Sequence, residues 1–266
     1  MYPITYITDC HDGNARARLS TRIGALFGQS PTIVAADGPD PESFAALTLL
    51  DCLLATESLG EDGYPTITLL NIAPRDGVWP NGVPFCFFWY GKHLVASTFS
   101  ARALSLVRRE LGIDHVYVTD IREAVTAAGF APDEIDKIAG TQFRSLWYLP
   151  LLAKWVADER AVPAVETAIP ETLDEDAIVA VVDNFGNCKL DRNLDLTPGD
   201  VVTVAQGKDV TCYPHLTAVP RNTPGIIQGS SGTGFTELVI RGGSAAAAFG
   251  LRPGDPVSVQ VAEKVA

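Results

Sequence analysis

The sequence predicts an α/β N-terminal domain with a mainly parallel sheet, followed by a smaller all-β, barrel-like C-terminal domain. Three observations carry this. Up to about residue 160, short β-branched and aromatic runs alternate with segments of helical period, the pattern of a layered α/β sheet. Residues 160–176, RAVPAVETAIPETLDED, then bring prolines and acids with no helical period, and read as a linker. Beyond residue 177 every signal is a short strand bounded by Gly, Pro, Asn or Asp. The expected domains are residues 1–165 and 166–266.

Residues 4–8 are a short β-rich run ending at Asp9. Residues 15–27 have helical spacing, with Leu19, Ile23 and Leu26 apolar. Residues 32–35 read as a second strand. Residues 42–57, ESFAALTLLDCLLATE, form an amphipathic helix with Pro41 at its start, where a missing N–H costs little. Residues 66–72 are almost continuously apolar, as in a parallel strand covered on both faces. Residues 83–89 and 93–97 look like a hairpin turning at Tyr90-Gly91. A helix over 100–111 stops at Gly112. A strand at 115–119 and a Leu- and Trp-rich helix at 142–158 complete the first domain. In the second, strands fall near 178–182, 201–204, 226–228, 237–240 and 256–260. Pro198-Gly199-Asp200 and Pro253-Gly254-Asp255 each precede a Val-rich strand.

Bulk properties narrow the function classes. Of 266 residues, 47% are hydrophobic and 20% charged, which suits a folded soluble chain. A net charge of −12 argues against nucleic acid and anionic membranes as partners. The N-terminal MYPITYITDCHDG has no basic region or long apolar run, so no signal peptide is expected. Five scattered cysteines without a CxxC pair predict reduced thiols and a cytoplasmic location. The four histidines are not spaced as a metal site. No Walker loop, HExxH or G-x-S-x-G is present, and residues 8–13 are not a G-x-G-x-G loop.

Two segments stand out. Asp183-Asn184-Phe185-Gly186-Asn187 follows the apolar run 177–182, and SSGTGFTELVIRGGSAAAAFGLRPGD runs from Ser230 to Asp255. Each places small or amide residues at a strand end, where backbone donors and short side chains reach a ligand. Thr8-Asp9 lies just past the first strand, where α/β sheets bind ligands. In this order the segments resemble the S-adenosylmethionine hydroxide adenosyltransferases and their relatives, the fluorinase and chlorinase.

The resemblance implies a role for each residue. Thr8-Asp9 matches the pair that holds the ribose hydroxyls, and Asn14 falls near a second acidic position of relatives. Asp183, Phe185 and Asn187 match D-x-F-G-N: a carboxylate for the methionine ammonium, an aromatic face for adenine, and an amide for the adenine edge. Ser230, Ser231 and Thr233, with Gly232 and Gly234, match the turn that cradles the methionine carboxylate, an anion-binding nest. Arg241 stands where the family has Asn and is a candidate carboxylate anchor. The residues alone leave other readings open: Asp9 as a cap, the 183–187 segment as a turn over a buried Phe, and Arg241 as a strand-end charge.

The pattern also breaks. Where the family has D-P-G-V-G this chain reads Ala73-Pro74-Arg75-Asp76-Gly77, leaving Arg75 and Asp76, with Asp9, as candidate catalytic groups. Where it has T-F-H-G-R-D this chain has Phe143 for the histidine. Asp40 and Ala73 occupy the places of the halogenases' aromatic clamp. Hydroxyls of Thr66, Ser97 or Thr98 are then expected to align water, and His11 is a further base candidate. The implied activity is attack of water on C5′ of S-adenosylmethionine, giving adenosine and L-methionine. The alternative is a catalytically silent protein that binds S-adenosylmethionine or adenosine. S-adenosylmethionine is substrate, and no cofactor or metal is expected. The implied assembly is a homotrimer with the nucleoside site at a subunit interface.

Overall fold

The computed structural model describes residues 2–73, 82–172, 176–204 and 207–261. The chain divides into two units, Met1–Ala36 with Thr56–Thr172, and Asp37–Ala55 with Leu173–Ala266.

In the first unit, β1 (Ile4–Thr8) is a strand because Ile4, Tyr6 and Ile7 are buried in the core. It leads through a tight turn into helix α1 (Gly13–Phe27), which Asp12 caps through its carboxylate and Gly28 ends in the left-handed conformation. β2 (Thr32–Ala35), β3 (Ile67–Asn71) and β5 (His93–Thr98) join β1 in parallel pairings, in the order β2-β1-β3-β5. All residues of β3 and β5 are buried, which explains their apolar centres, Leu69-Leu70 and Leu94-Val95-Ala96.

From β5 outward the strands alternate in direction. β4 (Phe85–Tyr90) turns through Gly91 and Lys92 straight back into β5, and β6 (His115–Thr119) and β7 (Val165–Ala168) add two more antiparallel pairings. The order is β2-β1-β3-β5-β4-β6-β7, with three parallel and three antiparallel pairings. The expected mainly parallel sheet is therefore corrected to a mixed one. A two-residue hairpin reverses the chain and leaves no crossover segment that would make its strands parallel. β7 also lies inside the stretch read as a linker. It is an edge strand with mostly exposed side chains, so it lacks an apolar alternation.

Helices α3 (Ser105–Leu111), α4 (Ile121–Ala127), α5 (Pro132–Gly140), α6 (Arg144–Trp147) and α7 (Leu149–Ala157) complete this unit. α6 and α7 divide the single helix expected at 142–158, with Pro150 in the first turn of α7, where its missing N–H is harmless. The core gathers Tyr6, Leu19, Ile23, Leu69, Tyr148, Leu152 and Trp155. Both fully buried phenols are satisfied: Tyr6 donates to Ser145 O at 2.8 Å and Tyr148 to Thr119 Oγ1 at 2.7 Å.

The second unit is an eight-stranded sheet in the order β14-β8-β9-β13-β12-β11-β10-β15. Its strands are β8 (Ala177–Val182), β9 (Cys188–Leu190), β10 (Val201–Val204), β11 (Lys208–Tyr213), β12 (Pro224–Gln228), β13 (Thr236–Ile240), β14 (Pro256–Val257) and β15 (Gln260–Val261). Among the described residues of this sheet, only β11 and β12 pair in parallel. The outermost strands, β14 and β15, are separated by Ser258 and Val259 alone. The two ends of the sheet are thereby drawn together and it rolls into a near-barrel, as the sequence led us to expect. Val179, Val202, Val210, Ile226, Leu238 and Phe249 fill its interior. Burial pushes the Cys188 thiol up to about 12, and no disulfide joins the five cysteines.

Helix α2 (Pro41–Leu54) groups with this second unit and packs against β8. Asp40 caps it, accepting from Ser43 N at 3.2 Å and Ser43 Oγ at 2.6 Å. Helical period identifies an apolar face but not the sheet that covers it. Among the described residues no helix is long and apolar enough to cross a membrane.

Leu69 is fully buried at the centre of the first sheet. Leu69→Ala is expected to cost about 2–5 kcal/mol, read as a lowered urea midpoint with an unchanged slope.

Candidate functional site

Parallel register brings three strand ends together. Thr8 pairs with Asn71 across β1 and β3, and Leu70 with Ser97 across β3 and β5, so Thr8, Asn71 and Thr98 end on one rim. Asp9 leaves β1 there. Its Oδ1 accepts from Asn71 Nδ2 at 3.3 Å and its Oδ2 from Ala73 N at 3.0 Å. Each oxygen keeps a further lone pair, so the half-buried carboxylate can still accept from a ligand diol. Thr8 is fully buried, and its hydroxyl accepts from Cys10 N at 3.0 Å and Asn71 Nδ2 at 3.4 Å. It therefore builds the turn that presents Asp9. The sequence reading does not single out Asn71. Its signal is a lone amide closing the apolar run ITLL.

A cavity of about 80 Å³ opens at this rim, lined by Cys10, Asn71, Ala73, Thr98, Phe143 and Arg144 among others. It has room for a water molecule and polar groups to hold one. Thr98 Oγ1 accepts from Ile72 N at 3.2 Å. Ser97 is fully buried and donates to Thr98 O at 2.8 Å. Thr66 lies instead at the opposite, amino end of β3, with Oγ1 2.9 Å from His93 Nδ1, and so drops out as a water-aligning hydroxyl. Phe143, in the family's histidine position, holds its ring under the Arg18 guanidinium at 5.0 Å. Arg144, a second residue missed in the sequence, reaches over the Phe85 ring at 5.9 Å, and burial lowers its pKa. Asn14 sits exposed in the first turn of α1, its N–H bound to Asp12 Oδ1 at 2.9 Å. Arg75 and Asp76 lie outside the described residues.

The second unit presents the 183–187 segment as a locked turn. Asp183 Oδ1 accepts from Phe185 N at 2.8 Å and Asn187 N at 2.9 Å, and Oδ2 accepts from Asn187 Nδ2 at 2.9 Å. The carboxylate thus folds the loop around itself. Phe185 is left with 72% of its surface exposed, so the turn displays the ring instead of burying it. Gly186 has φ +80°, and a Cβ there would collide with Ser244. Ser244 in turn caps helix α8 (Ala245–Phe249), accepting from Ala247 N at 3.1 Å.

Before β13 lies the serine- and glycine-containing turn. Gly232 and Gly234 take φ +86° and +65°. Ser230 and Ser231 are exposed, and Thr233 Oγ1 accepts from Phe235 N at 3.3 Å. The Ser231 hydroxyl meets Lys189 Nζ, which also donates to Asp51 Oδ2 at 3.0 Å and Oδ1 at 3.3 Å. Lys189 keeps only 11% of its side chain exposed and faces Glu237 across the β9–β13 pairing. Burial raises the pKa of Asp51 and of Glu237, and Lys189 opposes both shifts. Asp183 and Asp51 push Glu237 further up. Asp51 and Glu237 thus share one lysine, Asp183 adds its charge near Glu237, and the surplus negative charge favours a cationic ligand. Lys189, Asp51 and Glu237 escape the sequence reading, although Lys189 between Cys188 and Leu190, and Asp51 within an apolar helix, are visible as isolated charges. Arg241 follows β13 at its other end and donates to Thr217 O at 2.8 Å and Val219 O at 3.5 Å. Among the described residues no cluster of histidine, cysteine and acidic side chains suited to a metal is present.

Residues 177–258 match the family model of the SAM hydroxide adenosyltransferase C-terminal domain. The fold is similar to the crystal structure of an uncharacterized conserved protein from Thermotoga maritima, at 17% identity and TM-score 0.69, covering 96% of this chain and 99% of that one. It is also similar to that of a conserved hypothetical protein from Thermus thermophilus, at 19% identity and TM-score 0.63, covering 98% and 100%. No curated protein matches the sequence.

Gly186→Ala is expected to destabilise the protein by about 1–3 kcal/mol in denaturant unfolding, from strain at positive φ and the Ser244 collision. Glu237 has a raised pKa in the folded state, so it binds its proton more tightly folded than unfolded. Its favourable contribution is complete below the ordinary value of 4.5 and is lost as pH rises from 4.5 towards the raised value. Glu237→Gln should flatten that decline and raise the thermal midpoint at pH 7. A variant less stable at pH 7, with an unchanged pH slope, would mean that attraction to Lys189 outweighs the cost of burial.

Proposed function

We propose, from the match of residues 177–258 to the SAM hydroxide adenosyltransferase C-terminal domain, that this protein binds S-adenosylmethionine and cleaves it with water. The observation that carries this reading is the Phe185 ring, held out to solvent on a turn that Asp183 and Asn187 lock from behind. An exposed aromatic face on a rigid turn is costly to maintain unless something planar covers it. Adenine meets that need. The anionic group around Lys189 suits the sulfonium and ammonium charges of the substrate, and Ser230, Ser231 and Thr233 offer donors to its carboxylate. Asp9, its orientation set by Asn71 and Ala73, is the proposed acceptor for the ribose hydroxyls, with Thr8 and Asn14 beside it. Asp183 and Arg241 act in this reading through the loops they brace.

In the proposed reaction the water oxygen forms a bond to C5′ as the C5′–S bond breaks. The electron pair passes to sulfur, the positive sulfonium becomes the neutral thioether of L-methionine, and the proton of the attacking water leaves to solvent. The sulfonium is already a good leaving group, so alignment and partial desolvation of the water supply most of the acceleration. The small cavity beside Asn71 and Thr98 is where that water is placed in this proposal. Asp9, Arg75 and Asp76 are its proposed charged assistants. The proposed assembly is a homotrimer, and the proposed location is the cytoplasm.

A second reading is a silent binder of S-adenosylmethionine or adenosine. Ala73 and Phe143 favour it, since they stand where relatives carry an ionisable carboxylate and a histidine.

Incubation with S-adenosylmethionine, followed by chromatography, should show adenosine and methionine in equal amounts. Calorimetric binding without either product selects the silent binder, and no binding of any nucleoside removes both readings. Phe185→Ala is expected to weaken binding by about 1–3 kcal/mol, the range of a base–aromatic stack, with an unchanged circular dichroism spectrum.

A further inference from the structure

A second and larger cavity, of about 670 Å³, belongs to the first unit. It opens beside the antiparallel half of the sheet, among the end of β6, the start of α4, the end of α5 and the edge strand β7. Its volume suits a ligand of metabolite size. Most polar groups on its wall are already engaged. Arg122 Nη1 donates to Asp136 Oδ1 at 2.7 Å. Asp120 caps α4, accepting from Glu123 N at 2.9 Å. Thr119 Oγ1 donates to Phe85 O at 3.1 Å and accepts from Tyr148 Oη at 2.7 Å.

Arg144 differs from these. Its guanidinium has no carboxylate partner among the described residues, and burial is the sole cause of its lowered pKa. The Phe85 ring faces it on one side. On another it fills the space where a Cβ on Gly82 would stand, and Gly82 lines the same cavity. A half-buried guanidinium is thus held in place by an aromatic face and a bare stretch of backbone, with donors of its fork left over. A carboxylate is the anion whose planar geometry fits that fork. Asp120 and Glu123 on the same wall disfavour a polyanion and offer acceptors to a donor group.

We propose that this cavity binds a small monoanionic carboxylate, gripped by Arg144, whose other end carries a hydrogen-bond donor directed at Asp120 and Glu123. The site goes beyond the S-adenosylmethionine reaction and does not depend on it, although Arg144 and Gly82 also line the small cavity beside Asn71.

The test is calorimetric titration of the full-length protein at constant ionic strength with 4-hydroxybutyrate, butyrate and inorganic phosphate. 4-Hydroxybutyrate should bind saturably, butyrate more weakly and phosphate most weakly. Arg144→Gln should reduce affinity for 4-hydroxybutyrate about tenfold or more, the loss expected for a charge-assisted pair. Ala139→Phe, which narrows this cavity without altering the guanidinium, should also abolish binding and leave turnover of S-adenosylmethionine unchanged. Equal affinity in the wild type and Arg144→Gln, tighter binding of phosphate, or no saturable binding of any probe would overturn the proposal. Should Arg144→Gln fail to fold, Ala139→Phe decides alone: undiminished binding there sinks the idea.

Discussion

Parallel registration of β1, β3 and β5 is the constraint on which the first unit's chemistry depends. Strands in register must end together, and at their carboxyl ends the sheet no longer supplies partners for the chain that leaves it. The side chains of Thr8, Asp9 and Asn71 fill that deficit. Asn71 donates to both neighbours, Asp9 accepts from the backbone beyond β3, and Thr8 secures the chain after β1. The rim is rigid because its own polar groups hold it, and Asp9 still retains acceptor capacity.

The second unit solves a similar problem with turns. Its sheet reverses direction at nearly every connection, so ligand-facing groups sit on loops that need bracing. Asp183 braces one by accepting three hydrogen bonds from Phe185 and Asn187, and Gly186 lets that loop approach Ser244. Lys189 braces the other by reaching both Ser231 and Asp51 of helix α2. Burying Asp51 and Glu237 beside one another raises both carboxyl pKa values, and Lys189 pulls both back down, so the charge is held there at an electrostatic cost. Such cost is common where charge is kept for a ligand.

Packing qualifies two of the proposed family contacts. Its place in D-x-F-G-N assigns Asp183 to an ammonium, and the three hydrogen bonds it accepts inside the loop leave a lone pair on Oδ2 for that contact. The resemblance assigns Arg241 to a carboxylate, yet it holds the carbonyls of Thr217 and Val219. Lys189 sits nearer the role given to Arg241, because it touches the turn that contains Ser231. No motif marks Lys189, since a charge on a three-residue strand has no periodic signature.

The sequence by itself determined the α/β-then-β order, the hairpin at Gly91, the near-barrel of the second unit, and the two loops that resemble the adenosyltransferases. Those features rest on local rules: period, turn chemistry and glycine at positive φ. Tertiary structure alone decided that the first sheet is mixed, that α2 covers the second unit, that β7 lies within an apparent linker, and that Asn71, Arg144, Lys189 and Asp51 stand at the sites. Each of these depends on pairing between residues far apart in the chain, and an edge strand or an isolated charge carries no local pattern that states its partner.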